Sequence, residues 1–131
     1  MQQHKAVSAS AGQAVGTIRV VTVIEEGAPR VLYAVWKIPS PKAMLDNFWQ
    51  SVSMLGAVDA EIDKVSNAIT GAGLDRQIFE QHPISGKSFA GFQVPHWDRV
   101  KEVANQGHSL FPEFGIFGWD IAVGENGSVI I

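Results

Sequence analysis

The chain has 131 residues, a net charge of -3 and no cysteine. That length suits a single domain with a real core. The missing cysteine excludes disulfides, thiolate zinc sites and cysteine nucleophiles, and the charge leaves no basic footprint for nucleic acid. No apolar stretch approaches the length of a membrane span. The start, Met1-Gln2-Gln3-His4-Lys5, has no apolar core after its basic residue, so it is not a secretory signal. A cytoplasmic location fits, with neither membrane nor nucleic acid among the expected partners.

Residues 1–15 are small and polar and read as a helical end or a loop. Thr17 to Ile24 is rich in β-branched residues, which favour strands. Glu25 to Arg30 is turn material, and Val31 to Ile38 is a second strand closed by Pro39-Ser40-Pro41, so the two predict an antiparallel hairpin. Residues 52–62 and about 65–70 read as further strands separated by Asp63-Lys64. A Gly-rich turn at Thr70–Gly73 leads to a short strand over Arg76–Glu80, and His82-Pro83-Ile84-Ser85-Gly86-Lys87 is a loop. From Trp97 to Phe111 the apolar or small positions Trp97, Val100, Ala104, Gly107 and Phe111 recur at helical spacing. Asp98 suits the positive end of that helix, and Pro112 follows its end. The tail, Ile116–Val123, then Gly124-Glu125-Asn126-Gly127, then Ser128–Ile131, has the pattern of a closing hairpin. The expected class is α+β, a mostly antiparallel sheet with one main covering helix, in a single domain over 1–131.

Three places carry candidate chemistry. Arg19 lies mid-strand and Lys37 near the end of the next strand. With the turn centred near Ala28, antiparallel pairing sets them almost opposite each other. Two like charges on one face repel unless an anion sits between them, and phosphate oxygens suit an Arg fork beside a Lys point charge. The alternatives are that the side chains reach to solvent or that the register differs. Asp46-Asn47-Phe48-Trp49 reads as a turn with aromatic anchors, although the Asn47 amide could donate to an anion. Asp120 stands in an apolar strand, where an unpaired carboxylate is costly to bury, so a cation is expected beside it. Gly118 and Ala122 flank it on the same side and leave room for a ligand such as Mg²⁺. The alternative is a sheet-edge carboxylate bonded to a backbone amide or a lysine. The four histidines show no metal-ligand spacing and read as structural or solvent-facing, and no Walker-type phosphate loop is present.

Taken in series, the segments carry more than any one of them. Thr17-Ile18-Arg19-Val20-Val21-Thr22, Asp46-Asn47-Phe48, His82–Lys87, Gly91-Phe92-Gln93-Val94-Pro95-His96-Trp97 and Gly118-Trp119-Asp120-Ile121-Ala122 follow one another. This order resembles the C-terminal part of the sugar-transfer associated ATP-grasp family over nearly the whole chain. The resemblance implies an ATP-grasp ligase-like fold that holds ATP and Mg²⁺ between two subdomains. It also implies chemistry that activates a carboxylate as an acylphosphate for attack by an amine or similar nucleophile. In that reading Arg19 contacts phosphates or the acylphosphate, with Lys37 and Asn47 nearby, and Asp120 is a Mg²⁺ ligand. Two departures stand out. Lys37 replaces the family's usual Arg, and Trp49-Gln50-Ser51-Val52 fills a stretch where the family tends to have Gly-Gly. The resemblance further implies a Glu-x-Asn motif just beyond Ile131 and a preceding nucleotide-clamping subdomain. The expectation is therefore a partial domain that is inactive alone and self-associates through its open surfaces. A non-catalytic module that binds a nucleotide or sugar-phosphate is the alternative.

Overall fold

The computed structural model of the protein describes residues 2–40 and 53–131. Asn47, and with it the Asp46–Trp49 segment, lies outside the described residues.

The first hairpin joins β1 (Thr17–Glu25) to β2 (Ala28–Ile38). Its turn is Glu26-Gly27, with φ of 52° and 79°. Left-handed backbone at both positions suits a two-residue hairpin turn, and glycine supplies one of them without strain. From Glu25↔Ala28 the ladder runs unbroken to Thr22↔Val31, and then the register shifts so that Val21 faces Tyr33. Leu32 is thus the extra residue of a β-bulge. Were the same residues to continue in the register of the turn with no bulge, Arg19 would oppose Ala34, and Lys37 would point to the other face of the sheet. With it, Arg19 opposes Val35 and Lys37 opposes Thr17. The near-direct Arg19–Lys37 opposition expected from the sequence is therefore corrected to a diagonal one on the same face. The turn lies one to two residues earlier than Ala28, and the bulge restores the shared face.

β3 (Met54–Val58) is shorter than the strand expected over 52–62. It ends because the Asp59 carboxylate accepts the amides of Glu61 at 2.9 Å and Ile62 at 3.2 Å, which closes an Asx-type turn. The break between strands is therefore Asp59–Asp63. β4 (Lys64–Thr70) and β5 (Gln77–Phe79) follow as expected, and a two-residue β6 (Phe92–Gln93) that the sequence reading did not anticipate pairs with β4. β7 (Ile116–Val123) and β8 (Val129–Ile130) form the closing hairpin. The described strands make one antiparallel sheet in the order β5-β4-β3-β2-β1-β7-β8, with β6 beside β4.

Among the described residues two α-helices accompany the sheet, the main one expected over Trp97–Phe111 and a short one in the stretch read as a helical end or loop. α1 (Lys5–Ala11) begins where the His4 imidazole accepts the Ala6 amide. α2 (Trp97–Ser109) buries Trp97, Val100, Ala104 and His108, a stripe at helical spacing. Trp97, Val100 and Ala104 pack with Ile18, Val20, Trp36 and Ile121 into the hydrophobic core. The 89–92 segment completes that side. Phe92 stacks on the fully buried Trp36 with centroids 4.3 Å apart, and Phe89 meets it edge-on. Alternation then sends Arg19, Lys37 and Asp120 to the face opposite α2.

Candidate functional site

Arg19 and Asp120 are direct cross-strand partners in the β1–β7 ladder. Arg19 Nε donates to Oδ1 and Nη2 to Oδ2, both at 2.6 Å. This two-point fork is the strongest arrangement available to these side chains. Lys37 Nζ stands 3.3 Å from Oδ2. About two-fifths of each of the Arg19 and Asp120 side chains is exposed, whereas Lys37 is mostly buried. The structure thus joins three of the four candidate residues on one face. The anion between the two cations is Asp120 itself.

The pair sets the carboxyl's ionisation. Arg19, chiefly through its hydrogen bonds, holds Asp120 below the usual carboxylate range; the Lys37 charge adds to this and partial burial opposes it. The space beside the carboxylate is smaller than the pattern Gly118-x-Asp120-x-Ala122 suggested. A Cβ at Gly118 would meet Arg19 Nη1 at 3.4 Å and Cδ at 3.5 Å, so the Arg19 side chain already lies over that glycine.

A magnesium ion can be tested against these donors. A carboxylate offers about four lone-pair directions, and Arg19 Nε, Arg19 Nη2 and Lys37 Nζ take three of them. Asp120 therefore fits a cation as a single protein ligand that shares it with water and phosphate oxygens, the usual magnesium arrangement. It does not fit a cage made of protein alone. Among the described residues no group of three or more His, Asp or Glu side chains is placed to hold a metal.

Two of the histidines, His82 and His108, are buried and hydrogen-bonded within the fold. His82 Nδ1 accepts the amides of Ile84 at 3.3 Å and Ser85 at 3.2 Å, and burial pushes its imidazole below the ordinary value. His108 is fully buried in a chain that local patterns gave no hint of. Trp119 Nε1 donates to Thr22 Oγ1 at 2.9 Å, Thr22 donates to His108 Nδ1 at 2.8 Å, and His108 Nε2 donates to the Phe114 carbonyl at 2.8 Å. The direction follows from the ends, because an indole can only donate and a carbonyl can only accept. Gln3 was also missed. Its amide donates to the carbonyls of Gly12 and Ala14 and accepts from Gly16 N–H, which ties the lead-in of β1 to residue 3. The partners of these groups are distant in sequence, so only the folded chain reveals them.

A cleft of about 950 Å³ lies between His4, Ser10, Lys87, Phe92 and His96. It contains none of Arg19, Lys37 and Asp120, and its lining mixes Lys87 and Arg99 with Asp63 and Asp98. Convergent charge, rather than volume, marks the sheet face as the candidate site. Among the described residues no helix is long and apolar enough to cross a membrane.

No curated protein and no solved structure matches the chain. The family model described as sugar-transfer associated ATP-grasp matches residues 1–131, all of this chain. With Arg19 and Asp120 brought face to face from the two ends of that match, the chain belongs to the sugar-transfer associated ATP-grasp family.

Proposed function

We propose that this chain supplies the phosphate- and metal-facing wall of an ATP-grasp site in a ligase-like protein that activates a carboxylate as an acylphosphate. The observation that carries the reading is the convergence of Arg19, Lys37 and Asp120 on the sheet face opposite α2. Phosphoryl transfer of this kind depends on positioning and charge neutralisation more than on covalent catalysis. Arg19 presents a planar fork for two phosphate oxygens. Lys37 adds a buried point charge whose single ammonium tolerates a shift in oxygen position that a guanidinium would not. Asp120, kept ionised by its neighbours, is the carboxylate that would hold Mg²⁺, whose chemistry is to neutralise charge on the phosphates. ATP and Mg²⁺ are the cofactors of this reading, and an unidentified carboxylate and amine are its substrates.

The described residues form one wall of such a site. We therefore expect this chain alone to bind MgATP without turning it over. Titration calorimetry of MgATP into the chain and into Arg19→Gln and Asp120→Asn variants tests the reading. Binding weakened about tenfold or more in each variant is expected, in line with loss of a charge-assisted hydrogen bond. Equal affinity in all three would overturn it.

A second reading, a non-catalytic binding module, is favoured by the single carboxylate ligand and by Lys37 in place of Arg. The two readings part on ADP release. Turnover that appears when the partner subdomain is supplied supports the ligase, and binding without turnover under those conditions supports the module.

A further inference from the structure

We infer that Arg19 is a displaceable internal counter-ion, so that phosphate and divalent cation bind this site cooperatively by exchanging partners. The inference rests on the nucleotide-site reading above and adds a regulation to it. As the site stands, both carboxylate oxygens of Asp120 accept from Arg19 at 2.6 Å, and Lys37 sits on one of them at 3.3 Å. A cation arriving alone must compete with the guanidinium for those oxygens, at a cluster whose three charges sum to one positive. A phosphate arriving alone must draw the guanidinium away from Asp120 and leave that carboxylate short of partners. Arriving together, each ligand relieves the cost of the other: Arg19 turns to the phosphate, and the cation takes the vacated oxygens.

The geometry permits the exchange. Arg19 and Asp120 are each about two-fifths exposed, so neither is locked in the core. Gly118 offers no Cβ to hold the guanidinium in place, since its nearest Arg19 atoms would be only in ordinary contact with one. Lys37 is held closer to the interior, with 16% of its side chain exposed, and is the fixed cation of the pair. A coupling of this type falls in the range of about 5- to 150-fold between ligands.

The variants carry opposite signs for the two ligands. Arg19→Gln is expected to tighten Mn²⁺ binding in anion-free buffer by about tenfold while weakening inorganic triphosphate, and Asp120→Asn to abolish Mn²⁺ binding while tightening metal-free triphosphate by about tenfold. Free Mn²⁺ is read by electron paramagnetic resonance and triphosphate by calorimetry. Lys37→Gln removes the same unit charge, but its contact to Asp120 is longer, at 3.3 Å against the 2.6 Å fork of Arg19, so it should change Mn²⁺ affinity several-fold less than Arg19→Gln does. In the unsubstituted chain, the Arg19 Nε–H nuclear magnetic resonance signal should shift on adding triphosphate, and further with Mg²⁺, but hold its position with Mg²⁺ alone. Equal effects of Arg19→Gln and Lys37→Gln, or an Arg19 signal unmoved by triphosphate, would overturn the exchange while Asp120-dependent Mn²⁺ binding left the site reading intact. If neither Mn²⁺ nor triphosphate binds any of the four proteins, both the exchange and the site reading fall.

Discussion

Gly107 on α2 lies against the Trp119 ring so closely that a Cβ there would stand 3.0 Å from Cη2 and 3.3 Å from two further ring atoms. The indole cannot retreat freely, since its Nε1 is bonded to Thr22 and Phe117 stacks against it with centroids 5.0 Å apart. Gly107→Ala should gain about 1 kcal/mol of helix propensity and lose about 1–3 kcal/mol to overpacking. The expected net result is a less stable protein, read as a lower urea midpoint at unchanged m-value. A stabilised variant would show that the ring gives way.

Thr22 is the middle of a relay and serves two partners at once. Thr22→Val keeps the shape but strands the Trp119 indole N–H and the His108 Nδ1 lone pair in a buried setting. Each unsatisfied group costs about 1–3 kcal/mol, so a loss of about 2–6 kcal/mol is expected in chemical denaturation. Thr22→Ser retains the hydroxyl and should recover most of that loss.

Gln3 separates donor from acceptor roles. Gln3→Glu keeps an oxygen for Gly16 N–H but replaces the amide donor that serves the carbonyls of Gly12 and Ala14. Hydrogen exchange should quicken over residues 12–16 while the β1 amides beyond Arg19 stay protected. Uniform protection across both would show that the lead-in is held by something other than residue 3.

The Arg19–Asp120 pair gives stability a defined pH dependence. An ordinary carboxyl titrates near 3.8, and the folded Asp120 lies below that value. The carboxylate's contribution is therefore fully present above the unfolded value and is lost as pH falls through the lower folded one. Because the pair is partly exposed, the contribution is about 1 kcal/mol or less. Asp120→Asn should be less stable than the unsubstituted chain at pH 6, and the gap should close as pH drops well below 3.8. A gap that persists unchanged in acid would assign the effect to packing rather than to charge.

Much of the architecture was legible because it is written in short windows. The β-branched run Thr17–Ile24, the Asn126-Gly127 turn and the Trp97–Phe111 periodicity each report on residues within a few positions of one another. β3 ran short of its expected end because Ala60 and Ile62 look strand-like, while the deciding interaction is the Asp59 carboxylate folding back on the next amides. β6 is two residues long, too short to leave a period. The site was legible as an inventory of residue types, whereas its central contact was not. Arg19 and Asp120 are 101 positions apart, and no local pattern foretells that β1 takes β7 as its second neighbour.

The extra residue in the first hairpin has a consequence for how this chain can vary. Leu32 has no partner in the β1–β2 ladder, so the site beyond it depends on that residue being absorbed as a bulge and not on the residue itself. Losing the single codon for Leu32 would make Val31 and Tyr33 consecutive and let the ladder run without a break from Glu25↔Ala28 to Thr17↔Lys37, with Lys37 still on the Arg19 face. The bulge is therefore the point in this hairpin where one residue can be lost without moving the site. A Leu32 deletion should leave Mn²⁺ and triphosphate binding close to that of the unsubstituted chain, whereas a substitution at Lys37 should not.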